Sequence, residues 1–382
     1  MKSKIKNRKL KIKVGVIFGG RSAEHEVSLV SASSIIDAID KKKYEIIPIG
    51  ITPEGEWISS REILKLLKEK KQFHNEPKVT FLPEPTKNNF ISITRRRSIL
   101  LQKHIDVIFP VLHGTYGEDG TIQGLFELAN IPYVGAGVLG SSVGMDKVIT
   151  KQLCEQAGIS VTPYVWFVTP EYAKYTKKIL TAIEVKLGYP CFIKPANLGS
   201  SVGISKAHNR KQLVESIKLA SKYDRKILVE KSIENAREIE VSVLGNDDPI
   251  ASVPGKIISS NEFYDYDAKY VDGKSEAVIP AKLPSSIAKK VRELAVQSFK
   301  AIDCSGMARV DFLLTRRTNK IYFNEINTIP GFTSISMYPK LWEVTGIPYK
   351  KLLDRLIELA IERHINKQRL YRIFQPKKKW YK

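Results

Sequence analysis

Gly306-Met-Ala-Arg-Val-Asp-Phe-Leu-Leu314 and, a few residues on, Ile321-Tyr-Phe-Asn-Glu-Ile-Asn327 decide how this chain is read. Apolar and polar residues alternate through both runs and a polar turn, 315–320, separates them, which predicts two antiparallel strands of a hairpin. Side chains two apart share a strand face, so Arg309 lies with Asp311 and Glu325 with Asn327. Three oxygen donors and one guanidinium converge. A hard cation such as Mg²⁺ takes carboxylate and amide oxygens and fills its remaining positions from water and phosphate, which makes Asp311, Glu325 and Asn327 candidate metal ligands. The plainer alternative is a solvated polar face on an edge hairpin. The flanking sequence weighs against it, because it supplies the other parts of a metal-phosphate site.

The chain has 382 residues and 43% hydrophobic composition, enough for more than one core, so two or three domains are expected. No apolar run approaches the ~20 residues that span a bilayer. The basic start resembles the beginning of a secretory signal, but its apolar run ends at Gly19-Gly20 within a few residues, so no signal is expected. Cys154, Cys191 and Cys304 are odd in number, widely spaced and set among apolar residues, which fits buried free thiols in a reducing compartment. The net charge of +22 is concentrated at the ends: residues 1–13 and 367–382 each carry seven Lys or Arg and no acid. No base-reading motif or aromatic platform accompanies this charge, so solvated tails are expected and no specific nucleic-acid partner.

Lys13-Val-Gly-Val-Ile-Phe-Gly-Gly20 followed by helical character over 28–39 reads as strand, glycine turn and helix, the start of an α/β domain. The turn lacks the third glycine and the spacing of a dinucleotide fingerprint. Glu24, His25 and Glu26 place carboxylates at the helix start, where they either complement the helix dipole or grip a substrate ammonium. A second strand is expected over 44–51 and a buried parallel one over 104–112. Between them, residues 58–103 read as a helical and loop insertion with no chemistry. His113-Gly-Thr-Tyr-Gly-Glu-Asp-Gly120 is a glycine-rich loop at the carboxyl end of a strand, where open α/β sheets bind ligands. Residues 131–137 predict a further strand and turn.

Met145-Asp-Lys147 begins a helix, and residues 189–195 form a strand carrying Lys194 near its end. Asn197-Leu-Gly-Ser-Ser-Val-Gly203 is not a Walker loop, yet its backbone N–H groups and hydroxyls suit phosphate, and a short strand is expected over 202–206. Residues 226–231 form a strand ending near a carboxylate. In the alternating run 237–245, Glu238 and Glu240 share a face from which either acid can reach ribose hydroxyls. Phe263-Tyr-Asp-Tyr-Asp-Ala-Lys-Tyr270 is too polar for a core and reads as an active-site lid. Helices are expected over 285–302 and 349–365. The loop 328–336 offers backbone donors to an anion.

Side by side, GGRSAEHEVS, LHGTYGEDGTIQG, MDK, IKPANLGSSVG, FYDYDAKY, ARVDFLL and FNEINTIPGFT resemble, in order, the motifs of the D-alanine-D-alanine ligases of the ATP-grasp superfamily. The resemblance covers residues 12–363. It implies an N-terminal parallel-sheet α/β domain (13–140) followed by a two-lobed α+β ATP-grasp fold (141–230 and 231–365), with basic tails at 1–12 and 366–382. It implies that Lys147 and Lys194 contact nucleotide phosphates under a loop containing Gly199 and Ser201, and that Glu230 and Glu238 hold adenine and ribose. Asp311, Glu325 and Asn327 would bind two Mg²⁺ or Mn²⁺ ions. Glu24, with Ser200 and Tyr270, would hold the ammonium of the first D-alanine, with His113 beside it. Arg309 and the backbone at Gly331 would stabilise the tetrahedral oxyanion. Ser336 and Met337 would place the second D-alanine, and Lys269 the transferred phosphoryl group.

The implied activity is ATP-dependent ligation of two D-alanines through a D-alanyl phosphate for peptidoglycan precursors, in a cytoplasmic homodimer. Its nearest rival is a D-alanine-D-lactate ligase of the same fold, whose members alter the tyrosine lid that is intact here through Tyr270. Other ATP-grasp ligases share the hairpin but do not need GGRSAEHEVS. A polyanion or membrane-surface binder acting through the basic tails is the rival of another class.

Overall fold

The computed structural model describes residues 11–71, 76–85, 90–93, 104–258, 276–333, 335–372 and 374. Three sheets follow one another in chain order. The first is built from β1 (Ile12–Gly19), β2 (Tyr44–Ile51), β3 (Trp57–Ile58), β4 (Lys78–Phe81), β5 (Phe90–Ile93) and β6 (Val107–Val111), in the order β5-β4-β3-β2-β1-β6. β1 runs parallel to β2 and β6, and its apolar residues are covered on both faces. α1 (His25–Ala38), α2 (Ile63–Lys68), α3 (Thr121–Leu128) and α4 (Val138–Met145) belong to this part. Gly19 closes β1 at φ +88°, and a Cβ there would lie 2.2 Å from the Ile51 carbonyl oxygen, so only glycine makes this turn.

Within residues 58–103 the helical part of the expected insertion is present as α2, but the described residues also hold strands. β3, β4 and β5 extend the sheet as an antiparallel ladder. Lys78-Val-Thr-Phe81 alternates with period two, burying Val79 and Phe81, and Phe81 packs edge-on against Trp57 and Phe126 at 5.9 and 6.0 Å. The strand expected over 131–137 shortens to a single bridge between Ile108 and Tyr133. Pro132 accepts from the Ile108 N–H but has none to return, and the ladder stops.

The second sheet is antiparallel, in the order β7-β10-β8-β9: β7 (Tyr164–Val168), β8 (Cys191–Pro195), β9 (Ser205–Ala207) and β10 (Lys226–Lys231). The strand expected over 202–206 begins only at Ser205, because Gly203, at φ +72°, still belongs to the turn. α5 (Lys147–Gln156), α6 (Thr169–Lys186) and α7 (Arg210–Ala220) accompany it. α5 starts where it does because the Asp146 carboxylate accepts the Val148 and Ile149 N–H groups.

The third sheet comprises β11 (Arg237–Gly245), β12 (Ile250–Ala251), β13 (Gly255–Ile258), β14 (Glu276–Val278), β15 (Gly306–Leu314) and β16 (Ile321–Asn327), all antiparallel, in the order β14-β13-β11-β15-β16 with β12 beside β11. α8 (Ser285–Ala301), α9 (Met337–Thr345) and α10 (Tyr349–Gln368) complete the elements of the described residues. Their buried faces follow helical spacing, as in Leu352, Leu353, Leu356, Ile357 and Ala360 of α10. α10 does not stay with its own sheet. It enters one core with Val14, Val16 and Phe18 of β1, and Arg363 donates to the carbonyls of Tyr133 and Gly135 and to Ser305. The three cysteines are buried and free, as expected. Among the described residues no helix is long and apolar enough to cross a membrane.

Candidate active site

The hairpin forms as the alternation predicts, with Arg309 opposite Asn327 and Asp311 opposite Glu325. The register then slips between Asp311 and Phe312, leaving Asn324 as the extra residue of a bulge. Alternation alone does not reveal that bulge, and it matters: Asn324 Oδ1 lies 3.4 Å from Lys194 Nζ, on the facing sheet. The Arg309 fork donates to both Asp311 oxygens at 2.8 Å, its Nε lies 3.1 Å from Glu240, and Asn327 donates to Asp311 at 3.2 Å. Burial opposes the charge of Arg309, but Asp311 and Glu240 outweigh it and hold the guanidinium firmly protonated. Both strand acids line the cavity, and Glu240 is the one buried against Arg309.

That cavity, about 1390 Å³, lies between the second and third sheets and is closed at one end by loops of the first. From the first sheet come Glu24, His113 and Glu118; from the second, Lys147, Lys194, Glu230 and the loop Gly199-Ser200-Ser201. From the third come Glu238, Arg309, Asp311, Glu325 and Asn327, with Gly331, Ser336 and Met337 just beyond. Every candidate site residue within the described residues thus lines one space. Lys269 and Tyr270 lie outside the described residues.

Glu24 occupies the N-cap of α1 without capping it. Its carboxylate instead accepts from the Ser200 hydroxyl across 176 residues of sequence, so it serves the cavity and not the helix end. The approach is close: a Cβ on Gly199 would lie 2.8 Å from Glu24 Oε2, so a larger residue there would push that carboxylate aside. Ser200 and Ser201 hold positive φ values of 51° and 60°. Ser28, one turn into α1, donates to the Val111 carbonyl and accepts the Gly19 N–H at 2.7 Å, tying the ends of β6 and β1 beneath this corner.

His113 is buried, with Nδ1 3.0 Å from the Ile329 carbonyl and Nε2 3.1 Å from Ser31 Oγ. Burial lowers its pKa against the pull of Glu24 and the Ile329 carbonyl, so the ring is neutral: Nδ1 donates to Ile329 and Nε2 accepts from Ser31. Glu118 was not singled out by the sequence. It accepts from Gly114 N at 2.9 Å and Ile329 N at 3.3 Å, joining the glycine-rich loop after β6 to the loop after β16. Burial, reinforced by Glu24, pushes its carboxyl up to about 8.

On the second sheet, Lys147 Nζ donates to the Leu198 carbonyl at 2.7 Å and stands 4.0 Å from Glu325. Glu230 is fully engaged, with Lys151 and Lys194 each 2.5 Å away and Thr162 donating at 2.6 Å. Burial pushes Glu230 up, but the two lysines outweigh it and hold the carboxyl well below its ordinary range. Lys151 and Thr162 escaped the sequence reading. The available signal for Lys151 was its spacing of four from Lys147, which puts both on one face of α5.

The donor set suits a hard cation: two carboxylates opposite each other in register, with an amide oxygen two residues along. Among the described residues no three His, Cys, Asp or Glu side chains are grouped to hold a metal by themselves. Such a site depends on the amide, water and phosphate for the rest of its shell.

Two antiparallel sheets that face each other across one cleft, lysines on one and a carboxylate hairpin on the other, define a ligase of the ATP-grasp class. Family models narrow this: the D-ala D-ala ligase N-terminus matches residues 13–136 and the D-ala D-ala ligase C-terminus residues 153–358. The D-alanine--D-alanine ligase of Chloroherpeton thalassium is 53% identical over 367 residues, covering 93% of this chain and 97% of the relative. That of a Thermoanaerobacter species is 54% identical, covering 94% and 99%. Among solved structures, the VanG D-Ala:D-Ser ligase of Enterococcus faecalis is 40% identical with a TM-score of 0.81, covering 92% of this chain and all of that one. The D-alanine-D-alanine ligase of Coxiella burnetii is 37% identical with a TM-score of 0.79, covering 94% and 98%. The chain belongs to the D-ala D-ala ligase family.

Proposed function

We propose that this protein joins two D-alanine molecules into D-alanyl-D-alanine at the expense of ATP, for cell-wall precursor synthesis. The observation that carries the reading is the Glu24–Ser200 contact: a carboxylate suited to an ammonium sits under a loop suited to phosphate, facing the Arg309 end of the hairpin. Relatives at about half identity over nearly the whole chain carry that name.

A carboxylate is a poor acyl donor, so the first D-alanine attacks the γ-phosphorus through a carboxylate oxygen and ADP leaves. The amine of the second D-alanine, once deprotonated, attacks the acyl carbon; the C–N bond forms, the C–O bond breaks and phosphate departs. Glu24 holds the first ammonium, and Lys147 and Lys194 hold the phosphates. Arg309 and the Gly331 N–H stabilise the tetrahedral oxyanion, while the Ser336 and Met337 region receives the second carboxylate. Glu230 and Glu238 line the nucleoside side. Ser200 and Ser201 close over the acyl phosphate, which hydrolyses if water enters. Asp311, Glu325 and Asn327 would hold Mg²⁺ or Mn²⁺, which neutralises phosphate charge when bound. Lys269 and Tyr270 would belong to the lid. The division at 13–140, 141–230 and 231–365, a homodimeric state and a cytoplasmic location complete the proposal.

The test is phosphate release from ATP with D-alanine, L-alanine, and D-alanine plus D-lactate or D-serine, with product masses. D-alanine-dependent release giving D-alanyl-D-alanine supports the proposal. A dominant D-alanyl-D-serine, the product suggested by the name of the Enterococcus relative, or D-alanyl-D-lactate would replace it.

A further inference from the structure

Lys151 does not line the cavity, yet it is completely buried, a costly place for a lysine. It sits on α5, one turn after Lys147. Its Nζ lies 2.5 Å from Glu230 Oε1, 2.9 Å from Thr162 Oγ1 and 3.4 Å from the Phe323 carbonyl. Three acceptors match the three donors of an ammonium group. Burial pulls this lysine below its ordinary range and Glu230 opposes the pull. The other Glu230 oxygen lies 2.5 Å from Lys194 Nζ, which does line the cavity.

The cluster therefore holds two cations and one anion. Without Lys151, Glu230 and Lys194 would cancel, and Lys194 would be held against the sheet by a carboxylate with no other cation beside it. With Lys151 present, Glu230 is neutralised from behind, and one net positive charge remains at the cavity wall. We infer that Lys151 is a positioning residue for nucleotide: by neutralising Glu230 from inside the protein, it leaves the charge of Lys194 available to a polyphosphate. The inference rests on the proposed role of Lys194 at the phosphates. Lys151 also reaches Phe323 of β16 while Glu230 and Thr162 belong to the second sheet's side, so it spans the floor of the cleft.

Three variants of the full-length enzyme test it: Lys151→Met, Lys151→Met/Glu230→Gln and Lys194→Met. Each is examined for KM of ATP, KM of D-alanine, affinity for a non-hydrolysable ATP analogue by calorimetry, and thermal unfolding. Lys151→Met should weaken ATP and analogue by about tenfold or more, while KM for D-alanine stays within about threefold. The double variant removes the carboxylate that would cancel Lys194 and restores one net positive charge. It should bind the analogue at least about threefold more tightly than Lys151→Met and than Lys194→Met, and the second comparison keeps the test alive if Lys151→Met does not fold. A role confined to packing predicts equal losses for both substrates and no recovery in the double variant, and that result overturns the inference. So does an unchanged analogue affinity in Lys151→Met when Lys194→Met has lost it. If Lys194→Met itself binds the analogue normally, the phosphate role of Lys194 fails and the inference falls with it.

Discussion

Glu118→Gln isolates a carboxyl whose protonation is bound to the folded state. In the native protein burial and Glu24 raise its pKa from 4.5 to about 8. Below pH 4.5 the group is protonated whether the chain is folded or not. Between 4.5 and 8 the folded protein holds a proton that the unfolded chain releases, so the stability this group contributes is fully present in acid and is lost as pH rises through 8. Each pH unit in that window is worth up to about 1.4 kcal/mol, so from pH 5 to pH 8 wild type should lose about 3 kcal/mol that Glu118→Gln does not lose. Glutamine carries its own fixed cost. Both Glu118 oxygens accept N–H groups, from Gly114 and Ile329, and an amide can accept only one of them well. That adds a pH-independent offset of about 1–2 kcal/mol. Urea unfolding of both proteins at pH 5, 6, 7 and 8 separates the two effects: the offset appears at every pH, and the slope appears only in the difference between the curves. Titrating groups remote from Glu118 cancel in that difference. Parallel curves, differing by a constant, would refute the claim that Glu118 is held protonated.

Other substitutions probe different parts of the structure. Arg363→Ala removes donors from two backbone carbonyls and Ser305, together with a guanidinium 4.5 Å over the Tyr133 ring, and should cost about 3 kcal/mol in urea unfolding while kcat holds. Gly140→Ala places a Cβ 2.8 Å from the Asp303 carbonyl oxygen in a buried turn of α4, and should destabilise by about 1–3 kcal/mol; unchanged melting would show that α4 shifts freely. Glu325→Ala should cut Mg²⁺-dependent phosphate release by about a hundredfold or more with little change in melting, and full activity at ordinary Mg²⁺ would remove Glu325 from the site.

The hairpin was legible because a two-residue period and a short turn fix both register and face. Arg309, Asp311, Glu325 and Asn327 could thus be placed together before any tertiary contact was known. The bulge at Asn324 was not legible, since one extra residue leaves composition and alternation almost unchanged. Lys78-Val-Thr-Phe81 was lost among charges and prolines, although its own alternation was sound. Lys151 reads as an ordinary exposed helix lysine. It is buried because Glu230, 79 positions later in the chain, needs a cation from behind. Glu118 is similar: nothing local distinguishes it from its neighbour Asp119, and only the return of the chain at Ile329 makes it a half-buried acid.

The docking of α10 on the first sheet has a consequence for biosynthesis. Val14, Val16 and Phe18 share a core with Leu352, Leu353 and Leu356, and Lys43 and Asp40 pair with Asp354 and Lys350. At about 5–20 residues per second, more than 300 residues must be added after β1 before α10 exists, a wait of roughly 15–70 s. α1 and α2 cover β1 early through Leu29, Ile35 and Ile63, so throughout that interval only the part of this face that α10 closes stays uncovered. A pause that lengthens the wait should therefore lower the yield of native protein without changing the stability of the finished fold.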